Sequence, residues 1–258
     1  MRALVTGAGK RLGRAMAVAL ARQGYDVAVH FATSRSDADA TAEQIRALGR
    51  KAEVLQADLL SDEEAAALLP SAASVLGGPI TCLVNNASIF EHDSIETATR
   101  ESWDRHFGSN LRAPFLLMQA MAAQDMAQPY DSNGEPIAWG LVVNMIDQRV
   151  RALTPEFMSY TLAKSALWTL TQTAAQSLTP GIRVNAIGPG PTLQGPRQSP
   201  DQFARQRAST VLGRGANPED ITAALDYFLA APAVTGQLIC VDGGQHLAWE
   251  TPDVVGLE

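Results

Sequence analysis

The octapeptide TGAGKRLG, Thr6 to Gly13, joins a short apolar run to an amphipathic segment near the start of the chain. Gly7 and Gly9 permit a tight turn and let a phosphate group approach the backbone, while Gly13 allows a helix to pack closely on a sheet. The N-terminus of such a helix offers unpaired N–H donors and the positive end of a dipole. A strand, a glycine-rich turn and a helix in this order predict a dinucleotide-binding βα unit.

The alternation of apolar runs and amphipathic segments continues along the chain. Strands are predicted near 2–6, 26–31, 51–57, 80–85, 140–145, 182–187 and 237–241. Helices are predicted at about 11–23, 36–48, 61–76, 100–124, 155–178 and 217–230. The strands are rich in Val, Ile and Leu and lack polar alternation, as parallel strands buried on both faces do. The sequence therefore predicts a single α/β domain over residues 1–258, a Rossmann-type doubly wound parallel sheet of about seven strands with helices on both faces.

Composition and charge restrict the class of protein. Apolar residues make up 46% of the 258 residues and charged residues 18%, which provides a substantial core. The net charge of −7 argues against a sequence-independent nucleic-acid binder, which needs a clustered positive field. Cys82 and Cys240 lie in apolar runs and are expected to be buried thiols rather than disulfide partners or metal ligands. No apolar run approaches the roughly 20 residues of a membrane span, and MRALVTG has no signal-peptide pattern, so a soluble cytoplasmic protein without a bound metal is expected.

The glycine-rich turn and four later segments resemble the short-chain dehydrogenase/reductase family. The turn is similar to that family's TGxxxGxG, with Arg11 in place of the middle glycine, whereas Leu12 stands where a GxGxxG pattern has its third glycine. The later segments are ADL (57–59), VNNAS (84–88), GPGPT (188–192) and CVDGG (240–244). The resemblance implies an oxidoreductase in which Asp58 contacts adenine and the NNAS segment, ending in Ser88 instead of glycine, lines the cofactor. The cofactor-binding residues that it implies are Gly7, Gly9, Lys10, Arg11, Leu12, Gly13, Asp58, Leu59, Asn86, Ala87, Ser88, Pro189 and Gly190.

The charges after the second predicted strand bear on the choice of cofactor. An NAD site usually has an acid about twenty residues after the glycine-rich turn, which accepts hydrogen bonds from the ribose. The strand here ends in HFATSRS, with no acid before Asp37. A 2′-phosphate could instead be surrounded by Lys10, Arg11, His30, Ser34 and Arg35. We therefore predict NADP(H), with solvated surface cations as the alternative.

The pentapeptide YTLAK places Tyr160 and Lys164 about one helical turn apart on the same face. A free tyrosine has a pKa near 10, and a neighbouring ammonium is expected to lower it. The pair can then protonate a substrate oxygen or nitrogen as hydride arrives. Such a pair alone is mostly structural, but after TGAGKRLG and VNNAS it indicates catalysis. The family resemblance further implies that Lys164 orients the cofactor ribose and that Asn110 relays protons to the lysine through a water.

Asp147 occupies the position where most of the family carries a serine that hydrogen-bonds a substrate carbonyl. An aspartate offers a charged acceptor or, if burial raises its pKa, a second proton donor. Both roles suit a nitrogen heterocycle with C=N bonds better than a simple ketone. The alternative is an aspartate that only pairs with Arg149 or Arg151.

Three segments narrow the resemblance to the pteridine reductases. They are KRLG (10–13), NMID (144–147) and NNASIF (85–90). The resemblance implies NADPH-dependent reduction of a dihydropterin to a tetrahydropterin, with proton donation from Tyr160 and Asp147. It also implies that the pterin stacks on Phe90, whose alternative role is to cover the sheet edge.

Two other functions remain open at this point. One is a carbonyl reductase of the same fold that acts on a 3-oxoacyl thioester or another ketone, and the other is a module that binds NADP(H) without catalysis. Residues 188–212 are predicted to form a substrate loop, and the tail with His246 and Trp249 either closes the pocket or is structural. The family resemblance implies a homotetramer or homodimer that packs through the 100–124 and 155–178 helices.

Overall fold

The computed structural model describes residues 1–195 and 197–249. Seven parallel strands form one sheet in the order β3-β2-β1-β4-β5-β6-β7. They are β1 (Arg2–Val5), β2 (Asp26–Phe31), β3 (Ala52–Gln56), β4 (Cys82–Asn85), β5 (Gly140–Met145), β6 (Ile182–Pro189) and β7 (Leu238–Val241). The strand order reverses between β1 and β4, where a doubly wound sheet opens a crevice for a ligand. The predicted single-domain Rossmann-type fold is confirmed.

Helices cover both faces of this sheet. They are α1 (Arg11–Arg22), α2 (Arg35–Ala47), α3 (Asp62–Leu76), α4 (Arg100–Phe107), α5 (Ala113–Ala122), α6 (Met158–Ser177), α7 (Pro200–Ala208) and α8 (Pro218–Ala230). Helices α1, α2 and α8 share one buried apolar cluster with one face of the sheet, and α3, α5 and α6 share another with the opposite face. Since both faces are covered, the central strands are mostly apolar, as predicted; their polar residues, Asn85 of β4 and Asn144 of β5, lie near the carboxyl ends.

The helix predicted over 100–124 is divided into α4 and α5. Five residues between them, Gly108–Arg112, form a π-helical turn that contains the buried Asn110. Pro114 lacks the N–H group that would bond the Asn110 carbonyl in an α-helix. The break therefore leaves that carbonyl without its usual helical partner.

The boundaries of α6 and α7 also differ from the predictions. Helix α6 begins at Met158 rather than near residue 155, because Phe157 has left-handed backbone angles, φ 58° and ψ 49°. Helix α7 lies inside the predicted substrate loop, 188–212, and starts with a capping box between Ser199 and Gln202. The predicted substrate loop is thus partly helical.

The strand register brings polar side chains together at the carboxyl edge of the sheet. Asn85 of β4 lies beside Asn144 of β5, and its amide donates to the Asn144 side chain at 2.8 Å. Asn144 in turn donates to Thr171 of α6 at 2.9 Å. This buried chain of hydrogen bonds fixes α6 relative to the two strands that end at the candidate site.

Two further predictions concern the cysteines and membrane spans. Cys82 is a fully buried free thiol, as predicted, whereas the free thiol of Cys240 is partly exposed. Within residues 1–195 and 197–249, none of the helices combines the length and the apolar character needed to cross a bilayer.

Candidate active site

Two adjoining cavities lie at the carboxyl edge of the sheet. The first, of about 760 Å³, is lined by the glycine-rich turn and by the ends of β2, β3 and β4. The second, of about 890 Å³, is lined by the segments after β5 and β6 and by the start of α6. Arg11, Leu12, Asn86 and Ser88 line both, so the two cavities form one continuous cleft. We call them the cofactor cavity and the substrate cavity.

The glycine-rich turn has the geometry of a phosphate cradle. Gly7 has a φ of +61°, and Arg11, which replaces the family's middle glycine, has a φ of +53°. A Cβ on Gly13 would lie 2.2 Å from the Gly7 carbonyl oxygen and 2.5 Å from the Asn86 side chain. Only glycine fits at residue 13, where α1 packs against the sheet. With helix N–H groups and the Lys10 and Arg11 cations beside it, the cradle fits a dinucleotide diphosphate.

His30 supports this turn from below. Its Nδ1 accepts a hydrogen bond from the Gly7 N–H at 3.0 Å, and its Nε2 donates to the Ala57 carbonyl at 3.1 Å. The ring is 1% exposed, and burial lowers the pKa of His30. His30 therefore lines the cofactor cavity as a neutral support and does not supply the positive charge expected from it.

The other residues predicted around a 2′-phosphate divide into two groups. Lys10 and Arg11 line the cofactor cavity, and Lys10 forms an ion pair of 2.9 Å with Asp37. Ser34 and Arg35 lie outside the lining that the described residues form; Arg35 pairs with Asp39 at 3.2 Å. Gly9 also lies outside it and faces α2, where a Cβ would lie 3.2 Å from the Ala38 nitrogen. Of the five residues predicted around a 2′-phosphate, two therefore bring positive charge to the cavity, and a third cation in its lining, Arg105, pairs with Glu91 at 2.8 Å.

Lys10→Gln is expected to weaken NADPH binding about tenfold while changing NADH binding about twofold or less, because one charge-assisted bond to the 2′-phosphate is lost. Arg35→Gln, the matched control outside the cavity, is expected to change neither. Fluorescence titration of both cofactors measures this. An equal loss of NADPH and NADH affinity in Lys10→Gln would contradict a 2′-phosphate contact.

The remaining predicted cofactor residues are divided between the two cavities. Asp58, Leu59, Asn86, Ala87 and Ser88 line the cofactor cavity, and Pro189 and Gly190 line the substrate cavity. The Asn86 amide donates to the Thr6 carbonyl at 2.8 Å, and the Thr6 hydroxyl accepts from the Ala87 N–H at 2.9 Å. These bonds hold the NNAS segment against the glycine-rich turn.

Asp147, Tyr160 and Lys164 converge at the floor of the substrate cavity. The Tyr160 hydroxyl donates to Asp147 Oδ2 at 3.0 Å. Lys164 Nζ donates to the Met145 carbonyl at 2.7 Å and lies 5.7 Å from the Tyr160 ring centroid. Lys164 is 1% exposed, and burial lowers its pKa to about 8 although Asp147 opposes the shift. Two of its three ammonium protons remain available, as a ribose contact requires.

The expected lowering of the Tyr160 pKa is wrong for this arrangement. Burial, and then the charge of Asp147 and its hydrogen bond, raise the pKa of Tyr160 well above its ordinary value. Burial also raises the pKa of Asp147, although the Arg149 N–H and guanidinium oppose it. Tyr160 therefore keeps its proton at neutral pH and is not a phenolate in this arrangement.

Asp147 makes the contacts that both interpretations expect: it pairs with Arg149, and it bonds the catalytic tyrosine. Its Oδ1 accepts from the Arg149 backbone N–H at 2.8 Å, and Arg149 Nε lies 4.0 Å from Oδ2. The same Oδ2 also accepts from Tyr160. The pairing with Arg149 therefore orients a carboxyl group that is also linked to the tyrosine.

Asn110 lies in the π-helical turn beside these residues. Its side-chain oxygen accepts from the Ile89 N–H and its amide donates to the Ile89 carbonyl, both at 2.9 Å. The side chain therefore holds the NNAS segment through both its oxygen and its amide. The proton relay that the family resemblance implies for Asn110 stays a prediction.

Phe90 and Phe157 form an aromatic wall of the substrate cavity. Their rings stack at 4.3 Å with an interplanar angle of 10°, and Phe90 also meets the Tyr160 ring edge-on at 4.7 Å. Phe157 and Arg11 are the two non-glycine residues with a left-handed φ among those that the structure describes, and both line this cavity. Strained backbone of this kind concentrates at functional sites. Sequence reasoning missed Phe157 because it is 67 residues from Phe90.

A buried polar chain holds the first turn of α6, and sequence reasoning missed it as well. Asp93 accepts from the Ser159 N–H at 3.1 Å and from the Ser159 hydroxyl. His106 Nε2 accepts from the Glu91 N–H, so its Nδ1 carries the proton and donates to the Ser159 oxygen at 2.6 Å. Asp93, His106 and Ser159 are at most 2% exposed. Asp93 thus caps α6 from a distant segment, one residue before Tyr160.

Asp93→Ala is expected to lower the free energy of unfolding by about 2 kcal/mol, because the Ser159 N–H and hydroxyl lose their buried acceptor. Asp93→Asn keeps one acceptor and should lose less. Urea denaturation with Asp104→Ala, an exposed acid on α4, as the control measures the difference. Equal stability of the Ala variant and the wild type would show that α6 needs no cap from Asp93.

The predicted substrate loop is attached to the glycine-rich turn. The Arg11 guanidinium donates to the Leu193 carbonyl at 2.9 Å and to the Gln194 carbonyl at 2.8 Å. In the tail, His246 Nδ1 donates to Asp242 Oδ2 at 2.6 Å, and Trp249 is 60% exposed. The rest of the predicted tail, 250–258, lies outside the described residues. The two bonds from Arg11 hold the predicted substrate loop at the junction of the two cavities, because Arg11 lines both.

This combination of a phosphate cradle, a buried Tyr–Lys pair and a doubly wound sheet is typical of dinucleotide-dependent oxidoreductases. The chain belongs to the short-chain dehydrogenase/reductase family: residues 7–246 match a family model described as enoyl-(acyl carrier protein) reductase. The resemblance predicted from the sequence is confirmed.

Similar proteins differ in their described activities. A solved structure of FolM alternative dihydrofolate reductase 1 from Brucella suis, in complex with NADP, is 44% identical, with a TM-score of 0.90 and 98% of each chain covered. An uncharacterized oxidoreductase of Methylorubrum extorquens is 34% identical over 94% of this chain and 96% of its own. The 3-oxoacyl-[acyl-carrier-protein] reductase FabG of Staphylococcus aureus is 30% identical over 95% of this chain and 98% of its own. The Brucella FolM structure contains NADP, and NADP(H) is the cofactor predicted from the sequence.

Proposed function

We propose that this protein is an NADPH-dependent reductase that converts a dihydropterin into a tetrahydropterin. The observation that carries the proposal is the 3.0 Å hydrogen bond between Tyr160 and Asp147 on the floor of an aromatic-walled cavity. The similarity to the Brucella FolM protein supports it. Bound NADPH supplies the hydride, and the chain's own groups hold the reactants and move the proton.

The coupled pair suits a C=N bond. Reduction of C=N adds hydride to carbon and a proton to nitrogen, and a pterin ring presents further N–H groups to an acceptor. Tyr160 keeps its proton because burial and Asp147 raise its pKa. After Tyr160 gives up that proton, the Asp147 carboxyl is in direct hydrogen-bond contact to restore it, and the Lys164 ammonium lies 5.7 Å from the centroid of the tyrosine ring.

Phe90 suits a flat substrate. Its side chain is 42% exposed although it lies in the cavity wall beside Tyr160. An exposed aromatic ring in a cavity offers a stacking surface for a heterocycle. The cavity volume of about 890 Å³ is within the range of small-molecule sites.

Four groups would hold NADP(H) in the adjoining cavity. The glycine-rich turn would hold the diphosphate, Lys10 and Arg11 would contact the phosphates, Asp58 would contact the adenine and Lys164 would contact the nicotinamide ribose. These assignments rest on the lining residues and on the unpaired N–H groups at the start of α1.

A second candidate is a ketone reductase of the FabG type. The 30% identity to the Staphylococcus aureus enzyme and the description of the family model favour it. Asp147 argues against it, since a serine usually bonds the carbonyl at this position in the family. A sensor that binds NADP(H) without catalysis is the weakest alternative, because Asp147, Tyr160 and Lys164 are all in contact with the cavity.

The deciding experiment is a substrate panel of dihydrobiopterin, dihydromonapterin, dihydrofolate and a 3-oxoacyl thioester, each with NADPH and with NADH. Turnover of the dihydropterins with NADPH supports the proposal. Turnover of the thioester alone supports the ketone reductase. Tight NADPH binding without turnover of any substrate would support a sensor that binds NADP(H) without catalysis.

We also propose a cytoplasmic homotetramer or homodimer. The side chains of Trp103 on α4, Phe115 on α5 and Leu162 on α6 are 41%, 36% and 42% exposed, and α4 and α6 pack against each other. Apolar side chains on adjacent helices offer a surface that a second copy can cover. Light scattering on the purified protein measures the oligomeric state, and a monomer at micromolar concentration would refute the proposal.

A further inference from the structure

The substrate cavity carries positive charge in a chain whose net charge is −7. Among its described lining residues, Asp147 is the one acid, whereas the cations are Arg11, Arg149, Lys164 and Arg197. Arg11 also lines the cofactor cavity and bonds the Leu193 and Gln194 carbonyls, while Lys164 bonds the Met145 carbonyl beside Tyr160. Arg149 and Arg197 are therefore cations in excess of what the cofactor and the catalytic pair require.

Both of these arginines flank the aromatic wall. The Arg149 guanidinium carbon lies 4.8 Å from the Phe157 ring centroid and 5.8 Å from that of Phe90. The Arg197 guanidinium carbon lies 5.6 Å and 5.4 Å from the same centroids. A heterocycle stacked on Phe90 has its substituents at the ring edge, so a substituent can reach this pair.

The two guanidinium groups have hydrogen-bond donors to spare. A guanidinium has five N–H donors. Arg197 donates one bond, to the Phe90 carbonyl at 2.8 Å, and forms no ion pair within the described residues. Arg149 donates to Thr154 at 3.0 Å, and its Nε faces Asp147 at 4.0 Å. Contact with an aromatic face leaves the N–H edge of a guanidinium free for an anion.

We infer that Arg149 and Arg197 form a subsite for an anionic group at the far end of the substrate, a carboxylate or a phosphate. The inference rests on the proposed pterin reductase and names the class of pterin that the site prefers, one whose substituent is negatively charged. Arg149 contributes to both parts of the site: its backbone N–H orients Asp147, and its side chain would bind the anion. Arg197 connects the predicted substrate loop to Phe90 and supplies the second guanidinium of the subsite.

The test compares kcat/KM for three dihydropterins in the wild type, Arg197→Gln and Arg205→Gln. Dihydrobiopterin is neutral, dihydrofolate carries carboxylates, and dihydroneopterin phosphate carries a phosphate. We expect Arg197→Gln to lower the ratio of anionic to neutral substrate kcat/KM about tenfold, because a charge-assisted bond is lost. Arg205, exposed on α7 and outside the cavity, is the matched control, and its variant should leave the ratio unchanged.

The identity of the anion follows from the same data. A larger Arg197→Gln effect with dihydrofolate assigns the subsite to carboxylate, and a larger effect with the phosphate ester assigns it to phosphate. Equal losses with the neutral and both anionic substrates would overturn the inference while leaving dihydropterin reduction intact. Absence of turnover with every dihydropterin would instead remove the proposed function on which the inference rests.

Discussion

Tyr160→Phe should lower kcat for dihydropterin reduction by about a hundredfold or more, the usual contribution of a positioned proton donor. The Tyr160 hydroxyl lies at the floor of the substrate cavity and donates a hydrogen bond to Asp147 at 3.0 Å. Phenylalanine keeps the ring that Phe90 meets edge-on at 4.7 Å. The substitution therefore removes the proton without removing the wall of the cavity.

Comparing kcat with the NADPH dissociation constant separates an effect on the chemical step from an effect on cofactor binding. The NADPH dissociation constant of Tyr160→Phe, by fluorescence titration, should stay within about twofold of the wild type, because Lys164 and the glycine-rich turn are unchanged. Tyr227→Phe, on the exposed side of α8, is the control for loss of a tyrosine hydroxyl elsewhere. A kcat within about fivefold of the wild type would mean that the proton comes from another group.

The fold could be predicted because its determinants are local. Each strand is a short stretch rich in apolar residues, and the glycine-rich turn is contiguous between β1 and α1. The Tyr160 and Lys164 pair could be predicted for the same reason, since residues four apart share a helix face. The break at Asn110 also had a local signal that went unused: Pro114, four residues later, removes the N–H that would have bonded its carbonyl.

The other parts of the site depend on contacts between distant segments. Asp93 caps α6 across 66 residues, and Arg197 bonds the Phe90 carbonyl across 107. No spacing rule links such pairs, because the sheet order and loop conformations decide which segments meet. His30 shows the same limit: its position in sequence suggested a cation near phosphate, but its ring points under the turn and burial lowers its pKa.

These distant contacts have one feature in common. The NNAS segment and the residues after it hold Phe90, bond Asn110 through Ile89, and cap α6 through Asp93. The aromatic wall, the π-helical turn and the first turn of α6 are thus attached to one stretch of chain. A change in that stretch is expected to move Phe90 and Tyr160 together, which favours a fixed distance between the stacking surface and the proton donor.

Asp147→Asn is expected to lower kcat for dihydropterin reduction by about tenfold to a hundredfold, because an amide has the same shape but neither donates a proton nor carries charge. Asp147→Ser installs the residue most of the family uses. It should lose dihydropterin activity to a similar degree while turnover of a 3-oxoacyl thioester is retained or rises. Retained dihydropterin reduction in both variants would show that Asp147 only pairs with Arg149.

The pH dependence tests the same assignment independently. Burial raises the pKa of Asp147, so the carboxyl holds its proton to a higher pH than a free aspartate does. Donation from it is available below that raised pKa and is lost as the pH increases through it. In the wild type, kcat/KM for a dihydropterin should therefore fall in two steps as the pH rises, the first through the raised pKa of Asp147 and the second through that of Lys164. The first step should vanish in Asp147→Asn, whereas the second, near the Lys164 pKa of about 8, should remain because that ammonium is unchanged.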